Sequence, residues 1–237
     1  MWLWCGMPRI TLIVVNTRDL DGNTGCCSLN YKEWCKIYNS IYREFWQRDS
    51  FILPLRSNCY IAFSNGLSRK DLEEAVNKIE EQVTRSIKAV SVVHKYPAIA
   101  QLIASRIIRS LDRLYYEDNK PEDRVTIAYV SLESVLGSLE YASIYEEYIE
   151  ATALYTDVVK LSFRLGGIAG FVGDSDLVAI IPEEHLDLFI ENFPHNAKIG
   201  IGISLSSKKA LLLAIKALGR IEKSEVSTSY AILRDDS

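Results

Sequence analysis

The chain has 237 residues, 48% hydrophobic and 24% charged, the balance of an ordinary globular protein with apolar mass for one large core or two small ones. A formal net charge of -4 and a pI near 5.5 leave no general positive field, which argues against a nucleic-acid-wrapping protein, whereas a single nucleotide needs only a few local donors. Five cysteines, odd in number and irregular in spacing, describe neither a disulfide framework nor a zinc site and fit a reducing, cytoplasmic compartment.

The opening Met1-Trp2-Leu3-Trp4-Cys5-Gly6 lacks the basic start and small-residue cleavage site of a signal peptide. Met7-Pro8 is an equally serviceable start, and residues 1–6 are read as an artefact of the chain's beginning. The β-branched run Ile10 to Val15 predicts a buried strand and is far too short to span a membrane. A polar loop, residues 16–23, follows.

A helix is expected from about Asn30 to Gln47, where Tyr31, Trp34, Cys35, Tyr38, Ile41, Tyr42 and Phe45 recur at helical spacing as one broad core face. Next, Phe51–Arg56 and Cys59–Phe63 flank the two-residue turn Ser57-Asn58, a hairpin pattern. Ser68 is a good N-cap for a second helix. Ile87–Val93 then predicts a strand, and Pro97 starts a helix reaching about Leu114. The stretch 116–124 is charged, carries Pro121 and has no apolar period, which predicts a linker.

After it the order repeats: a strand at Val125–Val130 and a long helix from about Ser138 to Phe163. Gly170–Gly173 and Leu177–Ile181 predict a hairpin around Asp174-Ser175-Asp176. A short helix at Glu183–Asn192, a strand at Ile199–Ser204, a helix at Ser207 to about Glu222 and a strand at Tyr230–Leu233 complete the chain. Without gaps, Lys88–Val93 and the helix with Ala100 and Ala104 lie over Lys198–Ile203 and the helix with Ala210 and Ala214, an internal duplication. The expected architecture is α+β, two tandem ferredoxin-like palm domains at 8–115 and 125–237, each an antiparallel sheet covered by helices. Gly200 and Gly202, inside a strand, mark the close approach of a ligand or a packed helix.

The run Tyr145-Glu146-Glu147-Tyr148-Ile149-Glu150, then Gly166-Gly167-Ile168, then Phe171–Asp176, then Gly200-Ile201-Gly202-Ile203, resembles GTP cyclohydrolase III of archaea, over nearly the whole chain from Ile10. The resemblance implies a hydrolase that uses magnesium to open the guanine ring of GTP, releasing pyrophosphate and a formylaminopyrimidine nucleotide. That chemistry needs hard anionic ligands for the metal, which the family places at the first-strand end and the hairpin turn of each half. Here Asn16, Ser57, Ser131 and Ser175 stand where the resemblance implies Asp. Substitutes for the missing charge are Asp174, Asp176 and Asp19, with Asp21 and Glu133 also near the strand ends. A one-residue shift along a strand is expected to turn a side chain to the opposite face.

Asn16, Ser131, Gly173, Asp174, Lys216 and Arg220 are the candidate nucleotide contacts; Gly22, Gly25 and Gly137 offer backbone amides for phosphates. His94, His185 and His195 are isolated in sequence, His94 bordering a strand end. Three readings follow: a divergent guanine-nucleotide binder with impaired turnover, an active enzyme with relocated acids, or a non-catalytic regulatory or structural paralogue. The symmetric halves and the aromatic helix also predict a homo-oligomer.

Overall fold

β-branched residues seldom fit a helix well but pack on a pleated surface, and the run Arg9–Val15 accordingly forms β1, the central strand of the first sheet. The structure is a computed structural model describing residues 7–16, 31–131, 143–172, 176–194, 197–223, 225 and 228–235, apart from the Glu147 side chain. Along β1 successive side chains alternate, so Ile10 and Leu12 enter one core while Ile13 and Val15 enter another. After β1 come α1 (Tyr31–Trp46), β2 (Phe51–Arg56), β3 (Cys59–Phe63), α2 (Arg69–Val83), β4 (Ile87–Val93), α3 (Pro97–Ser110) and β5 (Leu114–Tyr116). The second half has β6 (Val125–Ser131), α4 (Ile144–Arg164), β7 (Ile168–Phe171), β8 (Asp176–Ile181), a 3-10 turn at Glu183–His185, α5 (Leu186–Glu191), β9 (Ile199–Ser204), α6 (Ser207–Glu222) and β10 (Tyr230–Arg234).

The first sheet is ordered β2-β3-β1-β4-β5, and the second, taken from its hairpin edge, β7-β8-β6-β9-β10. The orders match strand for strand, as the duplication predicts. Each sheet is antiparallel except at its outer pair, where β5 runs parallel to β4 and β10 parallel to β9. The architecture is α+β, two tandem palm-type sheets each faced by helices.

Local signals set the helix ends. Ser68 and Asp71 make a reciprocal capping box at the start of α2, whose end is marked by Thr84 in the left-handed region. Ser143 and Glu146 repeat the capping box on α4, and Pro97 opens α3 where its missing N–H does no harm.

The two halves share a core. Ile10, Leu12, Leu53 and Phe63 of the first sheet meet Val125, Ile127, Val178 and Ile180 of the second, with Ala100 and Ala104 of α3 and Ala210 and Ala214 of α6 between them. Two backbone hydrogen bonds join the halves reciprocally: the N–H of Ala98, opening α3, donates to the Gly166 carbonyl (3.0 Å), and that of Lys208, opening α6, to the Asp49 carbonyl (3.1 Å).

Some expectations are corrected. The third helix ends at Ser110, short of Leu114, because Leu111 is extended and Leu114–Tyr116 pairs with β4. The aromatic stripe of α1 is not its core face: Ile37, Ile41 and Phe45 are buried, whereas Trp34, Tyr38, Tyr42 and Trp46 stack along a neighbouring, partly exposed strip and Tyr31 is 79% exposed. A hairpin strand begins two residues early, at Ile168, and the segment Glu183–Asn192 is a 3-10 turn running into a short helix. Gly200 and Gly202 seat a helix: a Cβ on Gly200 would lie 2.0 Å from the Ala214 carbonyl oxygen, and one on Gly202 1.9 Å from that of Ala210.

The charged segment after β5 is anchored. Arg9, 2% exposed, bonds through Nε to Glu122 (2.5 Å), through Nη1 to Ser91 and through Nη2 to the Glu117 carbonyl, and stacks on Tyr116. Asn65 adds a bond to the Asp123 carbonyl.

Candidate functional site

On β6 the residues Val125, Ile127, Tyr129 and Ser131 share one face by the period of two, the face turned to the common core. The antiparallel register sets Ser131 directly opposite Asp176, the first residue of β8. Tyr129, two residues before Ser131, donates its hydroxyl proton to Asp176 Oδ2 at 2.5 Å. Asp176 therefore faces the same side as Ser131. The expected inversion of a displaced acid does not remove this one, because Ser131 and Asp176 are register partners.

The corresponding end of the first sheet is chemically different. Its last registered pair between β1 and β3 is Val14 opposite Cys59, and burial pushes the Cys59 thiol up in pKa, with Arg56 opposing. Asn16 lies just past β1, its N–H donating to the Ser86 carbonyl. Asn58, in the hairpin turn, donates from its side chain to the Val15 carbonyl (3.4 Å), while the Ser57 carbonyl accepts from the Tyr60 hydroxyl (2.7 Å). First-strand end and hairpin turn do meet, as expected, but through neutral groups serving the backbone.

Lys216 and Arg220 are exposed on α6. Gly200, register partner of Tyr129, lies beneath Leu218 while Gly202 lies beneath Ala210 and Ala214, so the C-terminal half of α6 runs toward the sheet end that carries Ser131. Asp19, Gly173, Asp174 and Ser175 lie outside the described residues, as do Asp21, Gly22, Gly25, Glu133, Gly137 and His195. Among the described residues no group of three or more His, Cys, Asp or Glu is placed to hold a metal ion.

Tyr129 was not singled out from sequence. The signal was available, since a tyrosine two residues before a strand-end site position shares its face, but only the pairing of β6 with β8 shows what it touches. His94 is half-buried, its Nδ1 accepting from the Tyr96 N–H (3.0 Å). Tyr96 stacks on His185 and bonds Glu184 across the junction of the halves. A surface cleft of about 500 Å³, lined by Asp157, Lys160 and Arg164 of α4 and by Asn192 to Pro194, sits on the other face of the second sheet, away from Asp176.

The family model of GTP cyclohydrolase III matches residues 34–235. A GTP cyclohydrolase III of Saccharolobus solfataricus is 25% identical over 222 residues, covering 84% of this chain and 94% of the relative. One of Aeropyrum pernix is 24% identical over 191 residues, covering 78% of each. A solved bacterial light-regulated adenylyl cyclase aligns with TM-score 0.37 and 12% identity, over 95% of this chain and 85% of that one. The family match spans most of the chain, both sheets included: the chain belongs to the GTP cyclohydrolase III family.

Proposed function

We propose that the chain binds a guanine nucleotide, GTP or a close relative, at the Ser131–Asp176 end of the second sheet, and that its magnesium-dependent ring opening is impaired. In this reading Ser131, Gly173 and Asp174 border the nucleotide, Lys216 and Arg220 neutralise phosphate charge from α6, and Asn16 contributes from the first half. Asp176 is the candidate metal-side carboxylate; Asp174 and Asp19, the other candidate acids, lie outside the described residues.

Magnesium itself tests the reading. The ion prefers octahedral oxygen ligands and keeps several waters, commonly held by one or two carboxylates together with substrate phosphates. The described strand-end residues provide one carboxylate, Asp176, a hydroxyl, Ser131, and an amide, Asn16. That donor set does not fit a free ion. What these residues do is bind and orient: the Tyr129 hydroxyl fixes Asp176, and Asp176 and Ser131 present oxygens at one edge.

The observation carrying the proposal is the family match over residues 34–235 joined to the neutral side chains at Asn16, Ser57 and Ser131. Titration calorimetry with GTP and GMP, with and without magnesium, tests binding; absence of heat in every case rejects it. Chromatography for pyrophosphate and the formylaminopyrimidine product tests turnover, and rapid release of both rejects the impairment. The protein is further proposed to be cytoplasmic and a homo-oligomer; the exposed Ile144, Tyr145 and Tyr148 on α4 support assembly, which light scattering would measure. No helix among the described residues is long and apolar enough to cross a membrane.

A further inference from the structure

The helices that follow the first strand of each half, α1 and α4, carry outer faces of like pattern and opposite charge. On α1 the exposed Lys32, Lys36 and Arg43 recur at i, i+4 and i+11 and so form one row along the helix. That row flanks the stacked strip of Trp34, Tyr38, Tyr42 and Trp46. The two acids of α1 stand apart from it: Glu33 pairs with Arg85, and Glu44 is buried against Arg48, with Arg43 3.6 Å away. On α4 the exposed Glu146, Glu150 and Asp157 repeat the same spacing, and the first base of that helix is Lys160, beyond them. Beside this acidic row Tyr145 and Tyr148 stack on each other at 70% and 64% exposure, with Ile149 next to them. Aromatic side chains left in water next to a row of one charge are the composition of an interface whose partner carries the other charge.

Resting on the homo-oligomer reading above, we infer that α1 of one copy packs antiparallel on α4 of a second copy, aromatic strip against aromatic strip and basic row against acidic row. The partner is a second copy because the two helices cannot meet within one chain. Ile37, Ile41 and Phe45 seat α1 on the outer face of the first sheet, Leu154 and Val158 seat α4 on the outer face of the second, and the shared core lies between the sheets. The direction follows from the order of residues. On both helices the charge comes one residue after its apolar neighbour, as Arg43 follows Tyr42 and as Glu146 follows Tyr145 and Glu150 follows Ile149. The charged row therefore lies on the same rotational side of each strip, and two such helices bring their charged sides together only when they run in opposite directions. Each row is about 16 Å long, so the antiparallel pair sets Lys32 toward Asp157, Arg43 toward Glu146 and Asn39 toward Glu150. The contact joins the first half of one copy to the second half of the next and is head-to-tail.

Sedimentation of the full chain over a range of concentrations tests this. The parent should sediment above its monomer mass of 26.8 kDa, and less so as salt is added, because exposed charges are screened. Reversing either row, Lys32→Glu with Lys36→Glu or Glu150→Lys with Asp157→Lys, should weaken association by at least about a hundredfold. All four positions are exposed, so circular dichroism and the melting temperature of the monomer should stay those of the parent. Each reversed variant keeps one intact helix, and mixing the two variants, or joining both reversals in one chain, should restore assembly. An oligomer whose mass neither reversal changes overturns the inference and leaves the homo-oligomer reading standing. So does a pair of reversed variants that stay apart when mixed. A parent that is monomeric at every concentration removes both.

Discussion

Ser131 and Asp176 face each other across the last registered pair of β6 and β8. Introducing an acid there, Ser131→Asp, therefore sets two carboxylates directly opposite, where like charges destabilise a sheet by up to about 1 kcal/mol. The variant should melt lower than the parent in chelator and recover on adding Mn2+, because the pair then binds a free cation. Scanning calorimetry with and without the metal measures this. Equal melting in both conditions would mean that the two side chains do not converge.

Gly202 has no room for a side chain, its Cβ position being 1.9 Å from the Ala210 carbonyl and 2.6 Å from the Ala214 amide. Gly202→Val must push α6 off the sheet, an overpacking cost of about 3 kcal/mol or more. A urea titration would show the loss directly. By contrast Gly219, with nothing within 4 Å of its Cβ position, should accept alanine and gain slightly from helix propensity.

Glu122 pairs with the buried guanidinium of Arg9 and also accepts from the Gly66 N–H at 2.6 Å. Glu122→Gln leaves that guanidinium without its carboxylate. Complete burial of an uncompensated charge costs about 3–5 kcal/mol, and the partial exposure of Glu122 reduces this to about 2 kcal/mol. Chemical denaturation measures the loss, and proteolysis should now cut within 117–124, the segment that Arg9 and Asn65 fasten.

Burial, aided by the Lys120 ammonium and opposed by Glu117, lowers the His94 pKa below its usual 6.5. The unfolded chain then binds a proton more readily than the folded one. The contribution of the neutral ring is complete above pH 6.5 and is lost as pH falls from there through the folded value. Stability should drop as pH falls below 6.5, and His94→Asn should flatten part of that slope in urea midpoints measured across the acid range. An unchanged slope would assign the acid sensitivity to other groups.

Much of the fold was legible because its signals are local. The β-branched runs, the Ser68 cap, Pro97 and the Ser57-Asn58 turn each act within a few residues, and the repeat of Lys88–Val93 at Lys198–Ile203 shows that the pattern occurs twice. What escaped depends on partners distant in sequence. Leu114–Tyr116 is a strand only because β4 offers an edge, and the stacking of Trp34, Tyr38, Tyr42 and Trp46 follows from Ile37, Ile41 and Phe45 taking the core. Gly200 and Gly202 were legible as a close approach, but only the packing of α6 decides between helix and ligand. At the site, the neutral side chains of Asn16, Ser57 and Ser131 could be read from sequence; the joining of Tyr129 to Asp176 could not, because it depends on a register between residues 47 positions apart.

The most direct test of the account is a crystal structure of the full chain grown with GTP and Mn2+. It should show the triphosphate at the Ser131–Asp176 end of the second sheet, with Lys216 and Arg220 on its phosphates. A nucleotide lodged instead beside Val14 and Cys59 would contradict it.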